Sequence, residues 1–343
     1  MTGKPLRAGV IGLGSMGRNH LRAYGELDGV EVVAVADPDA AVLERAVRGR
    51  TARPYSDHRR LLREEAPDLV SIAVPTGLHH EVALAALEAG VHILIEKPIA
   101  SSVEQGKEIA AAARRRGLKA TVGHVERFNP AVAELKRVLD EGSLGQVHQV
   151  QARRVGPFQQ RMRDVGVARD LATHDLDVMR YILGSEVSHL YCQTRTGVRT
   201  QYEDALFAVL RFENGVSALL DVSWLSPIKV RELTVLAEGG MLTLDYINQE
   251  LFLYKDAGRP SAWVDPAALR ITPEAVHKLP VPKSEPLLAE LEAFVRAVAE
   301  DEEPPLICED AIVALHLAEQ LVESGVTGQA LAVVSPVVGG GEA

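Results

Sequence analysis

Cysteine is nearly absent: Cys192 and Cys308 are the two in a chain of 343 residues. That excludes a disulfide scaffold and a cysteine-based zinc site, and it reads as free thiols in a reducing compartment. Long apolar runs are also missing. No stretch of about 18 uncharged apolar residues exists, so no membrane span is expected. The opening segment, MTGKPLRAGVIGLGSMG, has a short apolar run broken by glycines and does not read as a signal peptide. Positive charge is in deficit, with 37 Lys and Arg against 47 Asp and Glu and a formal net charge of −10. This argues against a nucleic-acid binder, because neutralising phosphates needs a basic surface. A local basic pocket for a phosphorylated small molecule stays open. The 11 histidines are scattered, and none belongs to a metal-ligand cluster. What is present, 47% apolar and 24% charged residues, fits a soluble cytoplasmic protein. At roughly 150 residues per domain the length predicts about two domains.

The first 125 residues alternate β-branched runs with helical stretches. Leu6–Ile11, Glu31–Ala36, Asp68–Val74, Val91–Ile95 and Leu118–Gly123 read as buried strands. Between them, Gly17–Leu27, Pro38–Arg48, Asp57–Glu65, His79–Ala89 and Ser101–Arg116 read as helices. Strands that alternate with helices predict right-handed βαβ crossovers and a parallel, doubly wound sheet. Strands apolar along their whole length agree, since both faces of such a sheet are covered.

Beyond residue 125 the rhythm changes. A helix at Pro130–Asp140, a strand at Val147–Val155 and a helix at Arg169–Leu183 precede a series of alternating segments running to Tyr254, separated by turn residues. Short turns between consecutive strands predict a mostly antiparallel sheet. Ala257–Lys283 reads as loop, and Glu285–Glu300 and Glu309–Ser324 as amphipathic helices. The expected organisation is a Rossmann-type domain over 1–125, an α+β domain over 126–335, and a flexible tail over 336–343.

Gly12-Leu13-Gly14-Ser15-Met16-Gly17 is a G-x-G-x-x-G run between a strand and a helix, and Asp37 ends the next strand. That context makes it a dinucleotide signature. Gly12 permits the turn, Gly14 lets the backbone approach a pyrophosphate, and Gly17 lets helix and strand pack closely. The helix N-terminus, at Ser15 and Met16, faces the pyrophosphate with amide donors and the positive dipole end. Asp37 would accept hydrogen bonds from ribose hydroxyls and repel a 2′-phosphate, which favours NAD over NADP.

Three further stretches matter: Val74-Pro75-Thr76-Gly77-Leu78-His79, Glu96-Lys97-Pro98, and Asp170-Leu171-Ala172-Thr173-His174-Asp175-Leu176-Asp177. Together with the glycine run they resemble the glucose-fructose oxidoreductase, inositol dehydrogenase and rhizopine catabolism (Gfo/Idh/MocA) family along nearly the whole chain. The resemblance implies an N-terminal Rossmann domain and a C-terminal α+β domain with an open, mostly antiparallel sheet. It implies oxidation or reduction of a secondary hydroxyl on a sugar or cyclitol, and a homodimer or homotetramer built through those sheets. It assigns His174 as the base that takes the hydroxyl proton, Lys97 as the group that stabilises the alkoxide, and Asp170 as the residue that positions Lys97 and the substrate. It sets Pro75, Thr76, His79, Glu96 and Lys97 beside the cofactor, and it implies a cis peptide at Lys97–Pro98; His124, right after the fifth strand, is placed to approach the nicotinamide of the cofactor or the substrate. The residues themselves are compatible with this chemistry. Lys97 ends a parallel strand, where such sheets place ligands, and Asp170 and His174 are one helical turn apart. An imidazole is a competent base near neutral pH.

One stretch points to a substrate. Arg153, Arg154, Arg161 and Arg163 precede Asp170 in an otherwise acidic chain, and guanidinium forks suit phosphate. This stretch and Gly123–Pro130, which contains Arg127, resemble members of the family that oxidise C3 of UDP-N-acetylhexosamines. That resemblance implies that Arg161 and Arg163 hold the diphosphate and that Arg127 helps place the sugar. The alternatives are a dehydrogenase of a free sugar or of a cyclitol such as myo-inositol, a non-catalytic sensor or assembly subunit, and an enzyme that retains its cofactor.

Overall fold

A computed structural model describes residues 4–158, 165–255 and 276–337. They form two units. The first gathers residues 4–128, 285–316 and 336–337, and the second 129–158, 165–255, 276–284 and 317–335.

The first unit is built on a six-stranded parallel sheet. Its strands are β1 (Leu6–Ile11), β2 (Val30–Ala36), β3 (Arg53–Tyr55), β4 (Leu69–Ile72), β5 (His92–Ile95) and β6 (Ala120–Val122). Their spatial order is β3-β2-β1-β4-β5-β6, so the order reverses beside β1. The helices that join them are α1 (Ser15–Tyr24), α2 (Ala40–Val47), α3 (His58–Glu65), α4 (His79–Glu88) and α5 (Val103–Arg116). Local chemistry sets their ends. The Asp39 side chain accepts from the Ala41 and Val42 amides, Asp57 from Arg59, and Ser102 from Gln105, each satisfying orphan donors at a helix start. Apolar side chains of β4 and β5 are covered on both faces, as a parallel sheet requires.

Sequence alone assigned 126–335 to one domain, but residues 285–316 return to the first unit. In α8 (Pro286–Ala299), Leu287, Leu291, Phe294 and Val295 pack with Val10, Leu13 and Tyr24. Each such side chain, once buried, contributes about 1.5–3 kcal/mol. At the start of α9 (Cys308–Thr327), Ile312 and Leu315 enter the opposite core with Ile95, Ile99 and Ile109. Hydrophobic periodicity finds such helices but does not reveal which sheet they cover. Pro336 and Val337 are described, Val337 packing on that same core, and the rest of the expected tail lies outside the described residues.

The second unit carries a nine-stranded sheet. Its strands are β7 (Val147–Pro157), β8 (Val187–Thr196), β9 (Glu203–Phe212), β10 (Ser217–Ser223), β11 (Leu225–Ala237), β12 (Gly240–Asp245), β13 (Glu250–Lys255), β14 (Val276–Leu279) and β15 (Leu331–Ala332). The order is β14-β13-β12-β11-β7-β10-β9-β8-β15, antiparallel throughout except for the β7–β10 pair. α6 (Pro130–Asp140) and α7 (Thr173–Leu183) complete the unit. Along β9 and β10, Leu206, Ala208, Leu210, Ala218 and Leu220 point into the core. Phe207 and Val209, 59% and 50% exposed, stand on the outer face with Leu219. In register, Val209 lies between Tyr191 of β8 and Leu219 of β10. This part of the outer face is therefore apolar and exposed.

Candidate functional site

In the first unit, the C-terminal ends of β1, β4 and β5 lie side by side, and three candidate segments follow them. The three glycines of the first segment have separate physical roles. Gly12 has φ +88°, and a Cβ there would lie 2.5 Å from the Ala73 carbonyl oxygen. A Cβ on Gly17 would lie 1.8 Å from the Gly12 carbonyl oxygen, so helix and strand approach as only glycine allows. Gly14 is the reverse case: a Cβ there would meet nothing within 4 Å. The space over Gly14 opens at the N-terminus of α1, beside exposed Ser15 and half-buried Met16. A pyrophosphate fits that cradle, because backbone donors and the positive end of the helix face open space.

Asp37 follows β2 and is held from two sides. Its Oδ2 accepts from the Leu13 amide at 2.8 Å, and its Oδ1 from the Asp39 amide at 2.9 Å. Each oxygen keeps acceptor capacity for a ribose hydroxyl. The carboxylate is thus fixed to the glycine turn itself.

Pro75 and Thr76 open a short 3-10 turn (Thr76–Leu78) after β4. His79 starts α4 but is buried, with Nδ1 2.8 Å from the Pro98 carbonyl and Nε2 2.9 Å from the Val74 carbonyl. Burial pushes its pKa down against the pull of those two carbonyls. Through these contacts the side chain links the end of the β4 loop to the Pro98 backbone. The Lys97–Pro98 peptide is cis. Lys97 itself is half-buried at the end of β5.

Glu96 is buried, and its Oε2 accepts from the Lys97 amide at 3.2 Å. Burial alone would raise its pKa. The His20 hydrogen bond and the charges of His20, Lys97 and His79 outweigh that, and the carboxyl is held below its ordinary range. His124 is also buried, after β6. Arg127 departs from expectation. Its guanidinium, nine-tenths buried, bonds Asp310 at 3.0 Å and anchors the turn Val125–Phe128 to α9. It is a structural ion pair and not an open fork for a sugar.

In the second unit, Asp170 lies in a π-helical turn (Ala168–Ala172) that runs into α7, and His174 lies in the first turn of α7. Both are half-buried. Sequence predicted a plain α-helix here. The wider turn is a local irregularity of the kind that recurs at functional sites. Glu203 of β9 holds its start: Oε1 accepts from the Ala168 amide at 3.0 Å, and a Cβ on Gly166 would lie 2.1 Å from the Glu203 carboxyl carbon.

The arginine stretch divides. Arg153 makes a surface pair with Asp221 at 3.2 Å. Arg154 is buried and bonds both oxygens of Asp175. Arg154 is thus committed to structure, while Arg153 stays half-exposed. Arg161 and Arg163 lie outside the described residues.

Cys192 and Cys308 are free thiols, and burial raises both to about 12, so neither is a reactive thiolate. Among the described residues no group of His, Cys, Asp and Glu could hold a metal ion. Among them, too, no helix is long and apolar enough to cross a membrane. The sequence reading missed His20, Gly166, Glu203 and the Arg154–Asp175 clamp. A signal existed for His20 alone, a polar residue on the buried Gly17, Leu21, Tyr24 face of α1.

Comparison with known proteins decides the family. A model described as the oxidoreductase family, NAD-binding Rossmann fold, matches residues 6–124, and a GFO/IDH/MocA C-terminal domain model matches residues 132–243.

The chain belongs to the Gfo/Idh/MocA oxidoreductase family.

It is an NAD-binding dehydrogenase with the Rossmann and open-sheet domains of that family. UDP-N-acetylglucosamine 3-dehydrogenase of Acidithiobacillus ferrooxidans is 30% identical over 304 residues, spanning 89% of this chain and 91% of the relative. A solved structure of that relative superposes with a TM-score of 0.82 at 27% identity, covering 95% of this chain and 99% of the other. Inositol 2-dehydrogenase 2 of Saccharopolyspora erythraea is 35% identical over 226 residues, 63% of this chain and 66% of the relative. The fold alone is shared with a Bordetella pertussis dehydrogenase solved with NADH and UDP-GlcNAcA. Its TM-score is 0.83 at 23% identity, with 97% of this chain and 99% of that one covered.

Proposed function

We propose that this Gfo/Idh/MocA dehydrogenase oxidises a secondary hydroxyl of a nucleotide sugar, C3 of a UDP-N-acetylhexosamine, to the ketone. The observation that carries this reading is the similarity to UDP-N-acetylglucosamine 3-dehydrogenase over 89% of the chain. NAD supplies the hydride acceptor at its nicotinamide ring. Gly12, Gly14, Gly17 and the α1 amides, with Ser15 and Met16, hold its pyrophosphate. Asp37 takes the adenosine ribose hydroxyls, and Pro75, Thr76 and His124 border the cofactor. His174 accepts the hydroxyl proton as the C–H hydride leaves. Lys97 offsets the charge that develops on the substrate oxygen. Asp170, one turn from His174, positions Lys97 and the substrate.

Arg161 and Arg163 are the arginines assigned to the diphosphate. Formation of NADH against a panel of UDP-sugars, free sugars and myo-inositol tests the reading. UDP-N-acetylglucosamine should be turned over well above free N-acetylglucosamine. If UDP adds neither affinity nor turnover, the nucleotide-sugar reading fails. The 35% identity to an inositol 2-dehydrogenase favours a cyclitol or free sugar as the second reading; activity on myo-inositol would support it.

We infer, too, that the chain self-associates through the outer face of its nine-stranded sheet. Phe207, Val209 and Leu219 form a contiguous apolar strip there, the kind of surface that marks an interface.

A further inference from the structure

We propose that His20 is a positioning residue for Lys97, acting through Glu96. The proposal rests on the reading of Lys97 as the group that meets the substrate oxygen.

His20 lies on α1, the helix whose N-terminus forms the nucleotide cradle, and it has no exposed surface. Both ring nitrogens are engaged. Nε2 is 2.9 Å from Glu96 Oε1, and Nδ1 is 2.9 Å from Ser71 Oγ on β4. Ser71 Oγ is in turn 2.9 Å from the Tyr24 hydroxyl. The other Glu96 oxygen accepts the amide of Lys97. Gly123 closes the remaining side, where a Cβ would stand 3.2 Å from Glu96 Oε2. A buried polar chain thus runs from α1 to the residue that precedes Lys97.

Glu96 is a carboxylate, so Nε2–H of His20 donates to it. His20 Nδ1 and the Ser71 hydroxyl share the second contact, and the Tyr24 phenol, which burial keeps protonated, reaches the same hydroxyl. Every member is satisfied, which a buried network must be to specify a single geometry. Other charged groups that face it are His79 of α4 and Lys97 toward Glu96, and Glu290 of α8 toward Tyr24. Held in this way, Glu96 keeps a fixed negative charge beside Lys97. A histidine with a purely packing role would have no reason to end on the carboxylate next to Lys97.

The test needs no known substrate for its main readout. Trace acetylation of Lys97 with acetic anhydride across a pH series, read by peptide mass spectrometry in the presence of NAD, gives the pH at which its amine becomes free. In His20→Ala that midpoint should fall by about one pH unit, because the carboxylate loses its donor and its fixed position. His20→Gln, whose amide N–H can still donate to Glu96, should recover most of the shift. Ser71→Ala, the milder change if His20→Ala does not fold, should move the midpoint the same way by less. An unchanged midpoint in folded His20→Ala, or in folded Ser71→Ala where the first variant fails, overturns the proposal. Failure of the underlying reading is distinct: full NADH formation by Lys97→Ala with UDP-N-acetylglucosamine would show that Lys97 is not catalytic, whatever the labelling shows.

Discussion

Arg154 grips Asp175 through both carboxylate oxygens, Nε to Oδ2 at 2.7 Å and Nη2 to Oδ1 at 2.9 Å, in the residue next to His174. The guanidinium also lies 5.0 Å from the centre of the Tyr246 ring. Strand β7 thereby fixes the first turn of α7. Removing one partner of a buried pair leaves an uncompensated charge, so Arg154→Met should cost about 3–5 kcal/mol in urea unfolding. Arg154→Met combined with Asp175→Leu should regain much of it. Arg153→Ala, at a half-exposed pair, should cost less than about 1 kcal/mol. A mild Arg154→Met would show that the clamp does not hold α7.

The glycines of the cradle make opposite predictions. Gly17→Ala drives a methyl group into the Gly12 carbonyl, so the fold should lose several kcal/mol, at or above the usual overpacking cost of about 1–3 kcal/mol. Gly14→Ala meets open space in the protein. Its melting temperature without cofactor should match the parent, while NAD binding weakens because the methyl group occupies the pyrophosphate space. Calorimetry with and without NAD separates the two, and a Gly14→Ala variant that binds NAD normally would refute the cradle.

Asp37 sets cofactor choice by charge and by its tie to Leu13. Asp37→Ser removes the negative charge that repels a 2′-phosphate. The ratio of kcat/KM for NAD over NADP should fall by at least about tenfold, the scale of one charge-assisted hydrogen bond. Equal use of NAD and NADP by the parent protein would already contradict this role.

Acid stability has a nameable contributor. The hydrogen bond from Tyr55 at 2.6 Å, aided by Arg53 at 3.0 Å, holds the buried Glu65 carboxyl below its ordinary pKa against the opposing effect of burial. A depressed folded pKa stabilises the protein above the unfolded value, and the gain disappears as pH falls through the folded one. Glu65→Gln should therefore be less stable than the parent near neutrality, with the gap closing in acid. Urea midpoints at a series of pH values check this, and a constant gap would mean that the carboxylate is not the source.

Phe207→Glu should weaken self-association without loss of fold, since the side chain stands on the open sheet face. Light scattering after gel filtration should give a smaller mass than the parent. A parent protein that runs as a monomer would remove the interface from consideration.

Much of the first unit was legible because parallel strands need continuous apolar runs and the glycine spacing has a steric cause. Strand β3 escaped because it is three residues long, contains Pro54 and sits at the sheet edge, where a missing amide hydrogen is tolerated. Strands β14 and β15 escaped for similar reasons of length and of polar or isolated sequence. The candidate residues Lys97, Asp170 and His174 were named from motif alone, and so was Asp37. Local pattern carried those, because helix period, strand period and turn sterics act between near neighbours. Partner choice does not. Arg154 and Arg153 carry the same charge in adjacent positions, yet strand alternation sends one into the core toward Asp175 and the other outward to Asp221. The burial of His20 against Glu96, 76 residues away, and the return of α8 to the first sheet likewise depend on long-range packing. Short-range chemistry wrote the elements and the cofactor signature into the chain, and only the folded arrangement decided which charges were committed to structure and which were left for chemistry.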